Sequence, residues 1–480
     1  MGWFLQRGQD PVIILGAGPT GLGAAYFLTL ANFQDWLIYE GSDEVGGLSR
    51  SFLDDKNFTW DIGGHVVFSH YDSFTKLLDI LMKDRGWFYH QRESWIRILG
   101  LWVPYPFQNN IHRLPSEFAA KCLQGLLDAT LEKTDAPHTD FEDFICRTFG
   151  KGISDLFMRP YNYKVWAYPA TQLDTSWIAD RVSTPDLKRV LRNMAEQCDD
   201  ASWGPNNTFR FPKYGGTGSI WKSLASRLPP GKLVLNHEVV ELDLDSRIIR
   251  FANGAEQKYG TLISSIPLDR LVKYSGKKNL AGAAARLTHS AVNVIGLALR
   301  GNPNSELQSK CWMYFPELRT PFNRVTHFSH YSPNNVNDIN SQWSLTAEIS
   351  ESPEKRVNHA TLVQDTISGL VAEGLIASPD QIEHIWQFRA EYAYPTPFKG
   401  RDEVLSSLLI PLDKARVLSR GRFGAWLYEI GNMDHCFMQG FEAASHVLFG
   451  TPEFTIWNPH VVNQPHHVLG WNRLNWSILG

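Results

Sequence analysis

Apolar and polar positions alternate between two periods along the chain. Val12-Ile13-Ile14-Leu15 is an apolar run of strand length that stops at Gly16. A small-residue helix follows (Leu22-Gly23-Ala24-Ala25-Tyr26-Phe27-Leu28), and a second apolar stretch, Trp36-Leu37-Ile38-Tyr39, ends in Glu40. This order predicts a strand–helix–strand unit with parallel strands. Residues 110 to 200 read as helical: after Pro115-Ser116-Glu117, the residues Phe118, Cys122, Leu126 and Leu127 lie on one helix face. Thr139-Asp140-Phe141-Glu142 has the form of a capping box, and Gly150 reads as a helix stop. Asn162, Tyr163 and Trp166 keep near-helical spacing, which suits a bundle core as well as a site. Strand character returns at Lys232 to Leu235, Glu238 to Leu244 and Arg247 to Phe251. An Asn253-Gly254 turn then leads to Thr261-Leu262-Ile263-Ser264-Ser265-Ile266-Pro267. That is a meander followed by a strand returning to the first sheet. From about 290 to 400, Val292 to Leu299, Cys311 to Phe315, Arg324 to Phe328 and Trp343 to Ile349 predict an antiparallel sheet, interrupted by the polar stretch 333–338. A last helix opens at Gly431-Asn432 and runs to Leu448.

The turn after the first strand carries chemistry. Gly16, Gly18 and Gly21 are spaced G-x-G-x-x-G between a strand and a helix. Glu40 ends the next strand, where an acid takes a ribose hydroxyl pair. The helix amino end supplies unpaired N–H groups and partial positive charge for a pyrophosphate. A second glycine pair, Gly46-Gly47 before Leu48-Ser49, follows directly, which is more than a nicotinamide site needs. A third, Gly63-Gly64, stands beside His65. Small residues in that series suit close passage of the backbone along a flavin dinucleotide, so FAD is the predicted cofactor. Val239, in the meander, is the candidate backbone contact for the adenine. The N-terminus of the last helix would aim at the flavin and support negative charge on the reduced ring.

Composition limits the alternatives. A chain of 480 residues is too long for one core, so two or three domains are expected. A formal charge of −4 with no basic run gives no case for nucleic acid or an anionic membrane surface. The 17 tryptophans exceed what a core of this size needs and leave some for stacking on a flat ligand. Five cysteines, odd in number and without a C-x-x-C pair, fit a reducing compartment with neither structural disulfides nor a zinc site. No apolar run reaches membrane-spanning length, no signal peptide precedes Val12, and Gln6 stands where a myristoylated Met-Gly start wants Ser or Thr. The expectation is a soluble, cytoplasmic protein of undefined oligomeric state, with no metal.

Three longer strings carry a resemblance. They are Pro104-Tyr105-Pro106-Phe107-Gln108-Asn109-Asn110, Met158-Arg159-Pro160-Tyr161-Asn162-Tyr163-Lys164-Val165-Trp166, and Arg422-Phe423-Gly424 with Tyr428-Glu429-Ile430-Gly431-Asn432. Together they resemble UDP-galactopyranose mutase of the eukaryotic type, from about residue 10 to 450. The resemblance implies an α/β fold: a discontinuous Rossmann-like FAD-binding domain (1–85, 205–285 and 400–480) with an inserted helical domain (110–204) and an antiparallel β-sheet domain (86–109 and 286–399). It implies interconversion of UDP-galactopyranose and UDP-galactofuranose on reduced FAD, whose N5 attacks the anomeric carbon with UDP as leaving group and no net redox change. The flavin–sugar adduct then opens to an iminium, recloses through the other hydroxyl and is recaptured by UDP. NADPH is the implied reductant and, without a second Rossmann fingerprint, must share the substrate cleft.

By matched position, Tyr105, Phe107, Gln108, Asn162 and Trp166 form the implied uridine pocket. Arg181 and Arg324 hold the diphosphate, for which the guanidinium fork is suited. Tyr314, Tyr331, Tyr394 and Tyr428 surround diphosphate and sugar, with Arg92 and Trp312 also in the cleft. Arg422, Gly431 and Asn432 lie beside the flavin, Asn432 also reaching the substrate. The His65 carbonyl accepts from N5–H. The resemblance departs at Met433 and Cys436, where the family has polar residues, and in a shorter loop at 334–342 and a shorter tail after 450. Two other readings share these motifs: a mutase for another UDP-sugar, and an FAD oxidase of the amine-oxidase group, which has no use for the paired arginines. A non-catalytic UDP-sugar sensor is a third.

Overall fold

The computed structural model describes residues 11–178, 181–201 and 207–463. Val12–Leu15, all four residues buried, is the middle strand of a five-stranded parallel sheet. Its neighbours are Trp36–Tyr39 on one side and Thr261–Ser264 on the other, with Leu233–Val234 and Val417–Ser419 at the edges. Continuous apolar runs are what a sheet covered on both faces requires. On one face lie α1 (Pro19–Leu30) and α2 (Met433–Phe449), packed backbone to backbone: a Cβ on Gly23 would stand 2.2 Å from Phe437 O, and one on Gly440 1.8 Å from Thr20 O. The predicted meander forms as Val239–Asp243, Ile248–Phe251 and Glu256–Lys258 on the other side of Tyr39.

The second sheet has seven strands, ordered Ile382–Pro395, His289–Arg300, Gln342–Glu351, Arg324–His327, Trp312–Tyr314, Ser94–Ile98 and Leu101–Pro104. It departs from the predicted pattern at one junction, where Trp312–Tyr314 pairs parallel with Ser94–Ile98, a strand from far earlier in the chain. The edge strand Ile382–Pro395 was not among the predicted segments, because Glu383, Arg389 and Glu391 on its open side break up the apolar pattern.

In the helical region Ser116–Leu131 packs on Phe141–Ile153. The predicted capping box is displaced by one residue: Asp140 is the cap, accepting Asp143 N at 3.0 Å, and Asp143 accepts Thr139 N at 3.1 Å. Gly150 does not stop the helix. With φ +69° it kinks the chain, which continues through a π-helical turn (Ser154–Met158) into Arg159–Trp166. The kink is where the two helices touch, since a Cβ on Gly150 would stand 1.9 Å from Gly125 O.

Candidate active site

The strands Val12–Leu15 and Trp36–Tyr39 end beside the amino terminus of α1, the crevice where open parallel sheets hold ligands. Gly16 adopts φ +91°, and a Cβ on Gly21 would strike Gly16 O at 1.8 Å, so both glycines are obligatory in the turn. Two glycine-rich loops meet there: a Cβ on Gly18 would be 3.7 Å from the Gly47 Cα, and Gly46 N donates to Ala17 O at 2.9 Å. No side chain caps α1 and no acid occupies its first turn, leaving its N–H groups for an anion. Glu40 spans both loops, with Oε2 accepting Ala17 N at 2.7 Å and Oε1 accepting Ser42 N at 2.9 Å. Val239 is buried just beyond Glu238, which lies against Gly41.

From this end a cleft of about 390 Å³ runs between the two sheets and the helical region. Leu48, Ser49, Gly64, His65 and Arg422 line its near part. Arg422 donates to Ala393 O (2.8 and 3.0 Å) and Gly431 O (3.1 Å), tying the edge strand to the start of α2. The Gly63-Gly64 pair has a second reason to be small. One face presses on the sheet, where a Cβ on Gly64 would meet Thr326 Oγ1 at 2.4 Å and one on Gly63 the Glu348 carboxylate at 2.9 Å. Burial pushes His65 down to about 4, so the ring is neutral at physiological pH, with Nδ1 buried and without a partner among the described residues.

Arg324 starts its strand with the guanidinium 4.6 Å over Trp312. Its Nε donates to Glu348 Oε1 at 2.8 Å, its Nη2 donates to Oε2, and Oε1 also takes Gly64 N at 2.9 Å. Arg181 reaches in from the opposite wall. It donates to Glu429 O at 2.5 Å and to Asn432 Oδ1 and Asn463 Oδ1 at 3.4 Å, and lies 5.0 Å over Tyr428. Its Nε is buried with no acceptor among the described residues.

The far part of the cleft is aromatic and amide-rich. Tyr314 packs against Tyr105 (5.4 Å) and Tyr161 (5.2 Å), and Trp166 meets Tyr428 edge-on at 4.7 Å. Burial holds the Tyr314 and Tyr394 phenols above their usual range, hence protonated. Gln108 Nε2 donates to Ser183 O, Asn162 Nδ2 donates to Met158 O at 2.7 Å, and Arg92 lies 5.6 Å over Tyr105. Two expected wall residues sit one layer behind it. Phe107 is fully buried and stacks on Phe157, which does line the cleft, and Tyr331 packs among Phe209, Phe211 and Phe328. Large rings on short helical segments go to the core when smaller neighbours can form the surface. Conversely, Glu348, His70, Asp434 and Asn463 line the cleft unforeseen. Only Glu348 carried a signal, a lone acid inside the apolar run Trp343 to Ile349.

A family model of flavin-containing amine oxidoreductases matches residues 19–448. A crystal structure of reduced UDP-galactopyranose mutase is 46% identical, with a TM-score of 0.92 over 95% of this chain and 97% of that one. The chain belongs to the flavin-containing amine oxidoreductases. A putative protoporphyrinogen oxidase from Exiguobacterium sp. 255-15 (16% identical, TM-score 0.72, 93% of this chain and 100% of that one) shares the fold. So does a putrescine oxidase (15%, 0.62, 91% and 98%). A flavin-containing amine oxidoreductase must hold FAD, and the residues fit it. The Gly18–Gly47 approach leaves backbone for a diphosphate, the α1 amino end is uncapped, Glu40 follows the second strand with its carboxylate on the glycine turn, and the His65 loop lines the cleft beyond.

Proposed function

We propose that this flavoprotein interconverts UDP-galactopyranose and UDP-galactofuranose, as a mutase of the eukaryotic type. The observation that carries the reading is the convergence of Arg181 and Arg324 from opposite walls on one aromatic cleft that opens at the His65 loop. An amine oxidase has no need of two guanidinium groups there. When bound, reduced FAD supplies the nucleophile for the anomeric carbon. Every other requirement falls on the protein. Tyr105, Gln108, Asn162 and Trp166 take the uridine, with stacking for the ring and amides for its polar edge. Arg181 and Arg324 hold the diphosphate and stabilise the charge on departing UDP. Tyr314, Tyr394 and Tyr428 orient the sugar hydroxyls, and Arg92 and Trp312 close the remaining wall. The His65 carbonyl, on a loop that lines the cleft, would accept from a flavin N–H. The N-terminus of α2 at Gly431-Asn432, with Arg422, would favour an anionic reduced flavin. NADPH is the reductant and uses the same cleft, and the protein works in the cytoplasm. Among the described residues no helix is long and apolar enough to cross a membrane.

The test is anaerobic incubation of the yellow holoprotein with UDP-galactofuranose, before and after reduction by NADPH or dithionite, with products separated by chromatography. Conversion only after reduction is expected. UDP binding without conversion moves the assignment to another UDP-sugar, and rapid oxygen uptake with an amine replaces it with an oxidase.

A further inference from the structure

We propose that Asn463, just after the short helix Pro459–Val462, is a positioning residue that holds Arg181 for an anionic ligand, with the His435 ring as its second support. The inference deepens the reading of the cleft given above and rests on it for the identity of the ligand.

The geometry begins with the amide. Asn463 Nδ2 donates to Glu429 O and Pro459 O, both at 2.8 Å. Both partners can only accept, so the amide nitrogen must face them and Oδ1 must point the other way. That oxygen meets Arg181 Nη2 at 3.4 Å and His435 Nε2 at 3.3 Å. An amide oxygen cannot donate, so His435 carries its proton on Nε2, and its Nδ1 accepts from Tyr71 O–H at 2.8 Å. Burial pushes His435 down to about 3, against the pull of Asp434 and with help from His70 and Arg181, so the ring stays neutral.

Glu429 O is shared: it accepts both Asn463 Nδ2 and Arg181 Nη2. Its residue is fixed from behind, since the Glu429 carboxylate takes both ends of Arg401 at 2.8 and 2.9 Å, each side chain 2% exposed. Arg181 is thus located by three neutral oxygens on a rigid anchor, and among the described residues no carboxylate pairs with it, which leaves its charge to the ligand. The neighbouring cluster of His70, Asp434 and His435 has the residue types of a cation site. Its groups are already committed: His70 N and Nδ1 both donate to Asp434 Oδ2 (2.9 and 2.8 Å), and both His435 nitrogens are bonded as above. The stacked His70 and His435 rings (4.6 Å) serve as packing for the Asn463 contact.

The experiment is calorimetric titration of UDP into FAD holoprotein carrying N463L, N463D, R181A or N463L with R181A. Loss of one oriented hydrogen bond to a charged group predicts roughly tenfold weaker UDP binding for N463L. The double variant should bind no more weakly than R181A alone, because Asn463 acts through Arg181. N463D, usable if N463L does not fold, puts a carboxylate between Arg181 and His435 and turns an acceptor oxygen, in place of the Nδ2 donor, toward Glu429 O and Pro459 O. Its deficit relative to the wild type should shrink from pH 8 to pH 6, as a proton taken up by the new carboxylate or shared with His435 relieves that repulsion. The groups around that pair are Asp434, His70, Tyr71 and Arg181, with Glu442 behind Thr455. Wild-type affinity in N463L, or full additivity with R181A, overturns the proposal. A wild type that binds no UDP overturns the functional reading instead. The histidine 15N spectrum then decides: an imidazolium signal gained in N463D supports the contact, and an unchanged spectrum refutes it.

Discussion

The two arginines of the cleft are held in opposite ways. Arg324 is bound at two points by the buried carboxylate of Glu348, so the pair is nearly neutral before any ligand arrives. Among the described residues Arg181 has oxygens around it but no carboxylate partner, and its Nε has no acceptor. The difference assigns them different work. Arg324, in holding the diphosphate as proposed, would act as half of an ion pair: its removal strands an acid inside the sheet, and it adds little long-range attraction while paired. In the proposed reading Arg181 is the one that would supply the field that draws an anion in. Glu348 also takes Gly64 N, so the compensated arginine is joined mechanically to the loop that carries His65.

Three variants can break or sharpen this contrast. Arg181→Ala should lower turnover by roughly 100- to 1000-fold, the loss usual for one preorganised charge-stabilising donor, with the fold and FAD content intact. Arg324→Ala should lose turnover and stability together. Equal thermal midpoints for the two variants would end the distinction. Glu348→Gln keeps an oxygen for Gly64 N but removes the charge facing Arg324. It should destabilise the protein by about 3–5 kcal/mol in chemical denaturation, because one member of a buried ion pair is left alone. A change below about 1 kcal/mol would show that the pair is solvated.

His65 gives a smaller effect that depends on pH. Its folded value, about 4, lies below the ordinary 6.5, so between those values the unfolded chain binds a proton that the folded chain refuses. Its contribution is therefore complete above pH 6.5 and is lost as the pH falls toward 4. In His65→Gln the urea midpoint should drop less between pH 6.5 and 4.5 than in the wild type; an identical drop would contradict a buried neutral ring. The smallest effect belongs to Cys436→Ala. Burial pushes that thiol up to about 11, so no thiolate is present to react, and turnover should change by less than about twofold.

Much of the scaffold was legible because its signals are local. The apolar run Val12–Leu15, the glycines after it and Glu40 lie within one strand–helix–strand unit, and each residue's task is set by its neighbours in sequence. The alternation that announces Gln342–Glu351 is local too. Contacts decided by distant segments were not legible. Gly150 has the composition of a helix stop, yet the chain runs on because Gly125, on another helix, needs the space. Phe107 and Tyr331 read as wall residues by position, but their depth is set by Phe157 and Phe209 in front of or beside them. Asn463 has no signal at all: its meaning comes from Glu429, Arg181 and His435, which share no pattern with it.

The backbone contact between α1 and α2 has a bearing on biosynthesis. Thr20 and Gly440 must touch before the crevice has both its walls, and the central strand needs Thr261–Ser264 to cover its second edge. A ribosome working at about 5–20 residues per second takes roughly 20 to 90 seconds to deliver Phe449. Throughout that interval the dinucleotide turn is present but unroofed. The crevice is therefore completed only late in synthesis, by a helix made some four hundred residues after the turn it covers.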